Sequence, residues 1–360
     1  MNENMTHYDT IIIGAGVVGS SIAYHLSEKT SNILVIDRHF PGAGTSGATQ
    51  AWVWVHTKQP NWYAEFSMYS AEMYPILKKK LVDIEYVRTG GIAPIFDEDK
   101  LAKARKLVKE QQEKGIEIHL LSKEEALAKE PYLSDQIIAA TYSPLDGNVN
   151  PMRLNQAYIQ AARRRKVTFS FYNPVTQIQR RGRQFVIQTE KETYTAGQLV
   201  LAAGTWTPLL AQHLGVQVPV RPVRGQILIT EPAPRFLKHT VSGVRQTVNG
   251  EVLIGYSKEE AGFAKDTTWD IIGETARFGI KIIPALRRLR LVRAFAGLRA
   301  MPRDGLPIIG PVQGVPGLFL AVMHSGVTLS PIAGMLMSEI LAGEAPSFPL
   351  EPFRLERFHE

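Results

Sequence analysis

At 360 residues the chain is long enough for roughly two domains, with ample interior to be stable without covalent staples. Its 44% hydrophobic and 21% charged residues are ordinary globular values, and the lack of any cysteine excludes disulfides, thiolate metal sites and iron–sulfur clusters. The net charge of +7 lies in three separated clusters (Lys78 to Lys80, residues 163–166, and Arg287, Arg288, Arg290 and Arg293) with no nucleic-acid-binding module, so no nucleic-acid partner is expected.

The opening MNENMTHYD is polar and shows no signal-peptide pattern, which points to a cytoplasmic chain. Residues 10–13 form an apolar strand that runs directly into Gly14-Ala15-Gly16-Val17-Val18-Gly19. A helical pattern follows, then a second apolar strand at 33–36 ending on Asp37. Gly14 suits a tight turn, Gly16 lets backbone approach a pyrophosphate, and Gly19 lets helix pack on strand. The free N–H groups at the helix start face the phosphate charge. Asp37 stands where a carboxylate can take ribose hydroxyls. Strand, helix, strand and acid in this order read as a dinucleotide site.

Residues 38–50, rich in Gly, Ser and Thr, read as a loop. Helical spacing covers 65–81, and 86–96 looks like paired strands around Gly90-Gly91. A charged amphipathic helix follows at 99–114 and another helix at 152–166. A hairpin is expected from 168–180 and 184–189, then a short strand at 198–202 ending in Ala203-Gly204-Thr205-Trp206. Residues 225–256 are β-rich with a turn at Asn249-Gly250, and 267–283 are helical up to Pro284. A strand at 318–323 leads into a last helix from about Leu329. Breaks at His324, Ser325, Gly326, Pro331 and Glu339 make residues 318–341 a poor membrane span. The implied fold is α/β: a Rossmann-type cofactor domain (1–85, 146–220 and 296–360) with an inserted α+β substrate domain (86–145 and 221–295) on a mixed or antiparallel sheet.

Three features bear on chemistry. Arg299 sits among apolar neighbours in AFAGLRAMPRDGLPIIG, where an unpaired charge is costly. It calls for an anion, either a bound carboxylate taken in two-point fashion or an internal Asp or Glu. His324-Ser325-Gly326-Val327-Thr328 precedes the last helix, whose first N–H groups stabilise negative charge. Trp52, Trp54 and His56 are either a cofactor wall or core aromatics of a strand. Arg245 reads as a hairpin surface charge, with a second anion contact as the alternative.

With GAGVVGSSIAYHL, GAGTSGATQA, LAAGTWTPLL, PVRPVRGQ, GLRAMPRDGLPIIG and HSGVTLSPIAG in order, the chain resembles the D-amino acid oxidase-like family of FAD-dependent amine oxidoreductases over nearly its whole length. The branch it looks most like holds glycine oxidase, sarcosine oxidase and catalytic subunits of bacterial amino-acid and opine dehydrogenases. The resemblance implies FAD, not cysteine-linked, with Val17 and Val18 by the pyrophosphate and Asp37 and Arg38 by the adenosine ribose. Thr45, Ser46, Gln50, Ala51 and Trp52 would line the ribityl chain and flavin, and Val175 would contact adenine. Gly204 would support the cofactor, and Gly326, Val327, Thr328 and Leu329 would cap the flavin O2 side. Arg299 resembles the family's carboxylate clamp, and His324 joins it as a catalytic-site residue. The implied substrate is a small amino-acid-like carboxylate, oxidised at its C–N bond; no metal is expected.

Departures from the family pattern bear on substrate. Glycine oxidase-like relatives carry a longer loop with an arginine after the histidine, whereas His324 here runs straight into Ser325-Gly326-Val327. Alternatives are an NAD-dependent dehydrogenase, disfavoured by the long loop after Asp37, or a 2-hydroxy acid oxidoreductase. A chain passing electrons to a partner subunit, or a homo-oligomer, also fits.

Overall fold

The central strand of the computed structural model, which describes residues 5–358, is Thr6–Ile13. Its eight-stranded sheet has the order Ile308–Pro311, Leu318–Val322, Thr193–Leu201, Thr6–Ile13, Ile33–Ile36, Thr168–Ser170 along its main path, with Gln184–Thr189 and then Val175–Arg181 joined antiparallel to Thr193–Leu201. All but Ile308–Pro311 run parallel along this path. Parallel strands are covered on both faces, so they are continuously apolar rather than alternating. Ile12, Val35 and Val200 point toward the helices Val17–Leu26 and Gly326–Leu341. Ile11, Ile13, Leu34 and Leu199 point the other way, onto Ile178, Phe185 and Ile187. The last helix begins at Gly326, one turn earlier than expected, with Ser325 left-handed (φ 61°) as its N-cap.

A second eight-stranded sheet is mixed. Its order is Leu291–Pro302, Val220–Thr230, Val252–Gly255, Val244–Gln246, Thr240–Val241, Gly91–Ile95, Ala139–Ser143, His119–Ser122. The two longest strands pair antiparallel from Val220↔Pro302 to Thr230↔Leu291. Residues 296–302, grouped by sequence with the cofactor domain, therefore pair within this second sheet. The turn at Asn249-Gly250 joins Val244–Gln246 to Val252–Gly255, with Gly250 at φ 100°. Among the described residues, no helix is long and apolar enough to cross a membrane.

Two sequence expectations are corrected. Gly90-Gly91 is not a hairpin turn: Gly91–Ile95 pairs with Ala139–Ser143, while Val87 bridges Asn148. These glycines make room instead, since a Cβ on Gly91 would lie 2.4 Å from Asp146 Oδ2 and one on Gly90 2.7 Å from the Tyr142 ring. The expected arm at 168–180 is broken at Asn173-Pro174. Thr168–Ser170 joins the parallel sheet, and only Val175–Arg181 pairs with Gln184–Thr189.

Candidate active site

A cavity of about 1000 Å³ opens at the carboxyl ends of the parallel strands and runs on to the face of the second sheet. This is where open α/β sheets bind ligands, at the crevice where strand order reverses; here it lies between Thr6–Ile13 and Thr193–Leu201. The volume stands at the top of the range for ligand pockets. Of the residues singled out by sequence, Gly14, Gly16, Val17, Val18, Asp37, Arg38, Thr45, Ser46, Gln50, Ala51, Trp52, Val175, Gly204, Arg299, His324, Gly326, Val327 and Thr328 line it. Two do not. Gly19 lies beneath the turn, where a Cβ would stand 1.9 Å from the Gly14 carbonyl oxygen. The Leu329 side chain is fully buried in the core, packed with Ile12, Ala23, Val200 and Ile332.

The glycine loop is fastened by the segments that follow it. Asp37 Oδ2 accepts the Ala15 N–H at 2.7 Å and Oδ1 accepts the His39 N–H at 2.9 Å. Ser46 Oγ accepts the Val17 N–H at 2.9 Å, capping a helix whose own N-cap, Gly16, has no side chain. Arg38 stacks its guanidinium 4.0 Å from the centre of the Trp206 ring. Gly204 is left-handed (φ 55°), and a Cβ there would meet nothing within 4 Å, so the cavity is open in front of it. Thr45 Oγ1 donates to the Leu298 carbonyl, and Gln50 Nε2 to the Gly243 carbonyl at 2.9 Å. The loop is thus tied to the second sheet.

Ala51 is held in the left-handed region (φ 54°), an uncommon conformation for a residue with a Cβ. It turns the chain so that Trp52 and Trp54 both line the cavity, with ring centroids 5.2 Å apart. Trp52 Nε1 is buried and has no acceptor among the described residues, a donor left for a ligand. His56 stands behind them, 4.7 Å from the Trp54 ring and fully buried. Its Nδ1 lies 2.5 Å from Asp146 Oδ2 and its Nε2 3.0 Å from Thr141 Oγ1. His56 is therefore a core residue supporting an aromatic wall.

Arg299 reaches the cavity from the strand Leu291–Pro302. Its Nη1 donates to the carbonyls of Ser257 (3.0 Å) and Arg224 (3.3 Å). It makes no ion pair among the described residues, and burial lowers its pKa. The nearby carboxylate, Glu259, is taken by Arg224 and Gln226, which donate to it at 2.7 and 3.1 Å. Space for the guanidinium comes from Gly225, where a Cβ would lie 2.2 Å from Arg299 Nη1.

His324 is neutral: burial, then the charges of Lys58, Arg299 and Lys258, bring its pKa down to about 3. Its Nδ1 lies 3.0 Å from Ser325 Oγ, which accepts from Lys58 Nζ at 2.8 Å.

Sequence reasoning misses Gly225, Lys58 and the Arg224–Glu259 pair; PVRPVRGQ holds two of them, but only strand register reveals their contacts. Arg245 is corrected from a surface charge to a buried residue. Its strand packs inside the second sheet, where Nη1 donates to Asn148 Oδ1 (3.2 Å) and the Val149 carbonyl (3.0 Å), and burial lowers its pKa to about 10.

Comparison with known proteins agrees with this geometry. The hydrogen cyanide synthase subunit HcnC of Pseudomonas protegens is 30% identical, over 98% of this chain and 96% of its own. An opine oxidase subunit of Agrobacterium tumefaciens is 30% identical, over 99% of both chains. The crystal structure of glycine oxidase from Geobacillus kaustophilus superposes with a TM-score of 0.94 at 25% identity, covering 98% of this chain and 99% of that one. The model of the FAD dependent oxidoreductase (DAO) family matches residues 9–340, and the chain belongs to that family.

Proposed function

We propose that the protein oxidises the C–N bond of an amino-acid-like carboxylate substrate with FAD. The observation that carries this reading is Arg299: a desolvated guanidinium at the cavity wall with two carbonyls and no carboxylate of its own. A planar fork in that setting suits a substrate carboxylate. The glycine turn, the open space before Gly204 and the orphan Trp52 Nε1 fit a dinucleotide cofactor. Gly14, Gly16, Val17 and Val18 would hold its pyrophosphate, and Asp37, Arg38 and Val175 its adenosine. Thr45, Ser46, Gln50, Ala51 and Trp52 would hold the ribityl chain and flavin, with Gly326, Val327 and Thr328 at the pyrimidine end. With no cysteine in the chain, no thioether link to the flavin forms. The first sheet then serves the cofactor and the second the substrate.

When bound, FAD supplies acceptance of a hydride equivalent from the carbon bearing the amine, and the imine so formed hydrolyses to an oxo acid and an amine or ammonia. Arg299 fixes the carboxylate and so aims that carbon. His324, being neutral, offers the amine a hydrogen-bond acceptor without adding charge. The first N–H groups of Gly326–Leu341 stabilise negative charge at the cofactor's pyrimidine end. Trp52 and Trp54 exclude water beside it. Two relatives carry subunit names, which supports a second reading in which electrons pass to a partner chain.

The test is anaerobic mixing of the holoenzyme with a panel of amines: sarcosine, glycine, D-alanine, proline, iminodiacetate and an N-carboxyalkyl amino acid. Bleaching of the flavin absorbance is expected with at least one, and admitting air then separates an oxidase from a dehydrogenase. A flavin-loaded protein reduced only by 2-hydroxy acids would overturn the reading.

A further inference from the structure

The cavity carries more positive charge than a single carboxylate needs. Arg299, Lys58 and Lys258 line it, as do Arg38 and Lys265, which both lie over the Trp206 ring, and among the described lining residues Asp37 is the only carboxylate. Both Asp37 oxygens already accept backbone N–H groups, those of Ala15 in the glycine turn and of His39 just after Asp37.

Lys58 is half-buried, and its partners are neutral. Its ammonium donates to Ser325 Oγ at 2.8 Å, reaches the Tyr63 hydroxyl only at 3.4 Å, and lies 4.8 Å from the centre of the Tyr63 ring. Among the described residues it forms no ion pair. An ammonium has three donors, so capacity is left for an anion in the cavity. Through Ser325, Lys58 is joined to His324. On the other side, the Ser257 carbonyl holds Arg299, and Lys258 follows directly at the exposed mouth. The imidazole of His324 thus lies within the field of all three cations.

We infer that the substrate is an amino acid bearing a second carboxylate, with Arg299 taking the carboxylate next to the reacting carbon and Lys58 the distal one. The inference rests on the amine-oxidation reading of the same site. The two cations suit different tasks. Arg299 is a rigid fork pinned by two carbonyls, fit for fixed two-point contact, whereas Lys58 is a flexible point charge that tolerates variable reach. A monoanionic amine such as sarcosine would leave Lys58 in a half-dry cavity without a counter-ion, the arrangement that costs most. The second carboxylate is either on the nitrogen substituent or on the side chain.

Binding without turnover tests this first. The holoenzyme is titrated calorimetrically with glutarate and butyrate, which differ in one terminal carboxylate. Glutarate is expected to bind ~10-fold or more tightly, the low end of what close charge pairs contribute. That preference should weaken with salt, collapse in Lys58→Met, and persist in Lys58→Arg. Melting temperature and flavin content of each variant separate a folding defect from a lost contact. Equal affinities, or a preference that survives Lys58→Met, overturn the inference.

Turnover is then compared for iminodiacetate against sarcosine, and for D-glutamate against D-alanine, which distinguishes an N-linked from a side-chain carboxylate. Faster flavin reduction by sarcosine and D-alanine than by their dianionic counterparts would sink the inference and leave amine oxidation standing. Lys58-dependent glutarate binding with no amine able to reduce the flavin would sink amine oxidation and leave the dianion subsite standing.

Discussion

Gly225→Ala should damage substrate binding without replacing any residue that contacts substrate. The glycine lies inside the longest pairing of the second sheet, opposite Gly297, where a glycine ordinarily weakens a strand. Its added Cβ would stand 2.2 Å from Arg299 Nη1 and 2.5 Å from Cζ and Nη2. Contacts that close cannot persist, and the guanidinium has to swing off the Ser257 and Arg224 carbonyls. Losing a charge-assisted hydrogen bond to substrate costs about 1.5–3 kcal/mol, equivalent to roughly 10- to 150-fold in kcat/KM. Full removal in Arg299→Ala should cost about 2–5 kcal/mol, as for truncating one partner of a buried charge pair. The assay is a double-mutant cycle read by kcat/KM and by urea unfolding. In the wild-type background Gly225→Ala should lower both quantities. In the Arg299→Ala background it should leave kcat/KM unchanged and raise stability, since alanine suits a strand better than glycine once the clash is gone. Additive effects in the two backgrounds would refute the claim that Gly225 is there to make room for Arg299.

Three other perturbations follow from the same contacts. Ser46→Ala removes the side-chain cap on Val17 N–H and should cost about 0.5–2 kcal/mol of stability, with weaker FAD retention seen by dialysis; unchanged retention and stability would contradict the capping role. His56→Ala leaves Asp146 Oδ2 and Thr141 Oγ1 without their buried imidazole partner and should destabilise by about 1–3 kcal/mol or more, with altered tryptophan fluorescence as the wall relaxes; an unchanged midpoint in urea unfolding would argue against it. His324 binds its proton only near pH 3 in the folded protein, against an ordinary value of 6.5. The unfolded chain is therefore protonated first, and stability present above pH 6.5 is lost progressively as pH falls toward 3. His324→Asn should flatten the decline of unfolding free energy across that window, and an unchanged slope would refute the depressed pKa.

The cofactor half of the molecule is the more legible in sequence because its signals are local. Gly14, Gly16, Val17 and Val18 come together on one turn, and Asp37 lies at the end of the adjacent strand, so spacing along the chain stands in for distance. The second sheet is built from strands far apart in sequence, and its register is invisible in a single sequence. That is why Gly225 escapes notice, why Arg245 reads as exposed, and why Gly90-Gly91 passes for a turn when the two glycines in fact clear space for Asp146 and Tyr142; Lys58 escapes because it is a loop residue whose partner Ser325 is far along the chain. Leu329, placed at the cofactor by the resemblance alone, has its side chain in the core, and only the residues before it on the helix line the cavity.

The loop from residues 38 to 50 explains how a cofactor site and a substrate site read from separate sheets come to share one cavity. Rich in Gly, Ser and Thr, it has little side-chain packing of its own to hold a shape. Its order comes from three polar ties made in both directions: Ser46 to Val17 on the first sheet's helix, Thr45 to Leu298, and Gln50 to Gly243 on the second. Leu298 is the neighbour of Arg299, so the segment proposed to cradle the flavin is bonded to the backbone that carries the carboxylate clamp. Each tie pairs a polar side chain with a backbone group of another segment, so losing one leaves that group without its partner. On the proposed reading, the distance between cofactor and substrate carboxylate would be set by these side-chain-to-backbone bonds across the seam. That is the precision required when a single carbon must be aimed at a bound cofactor.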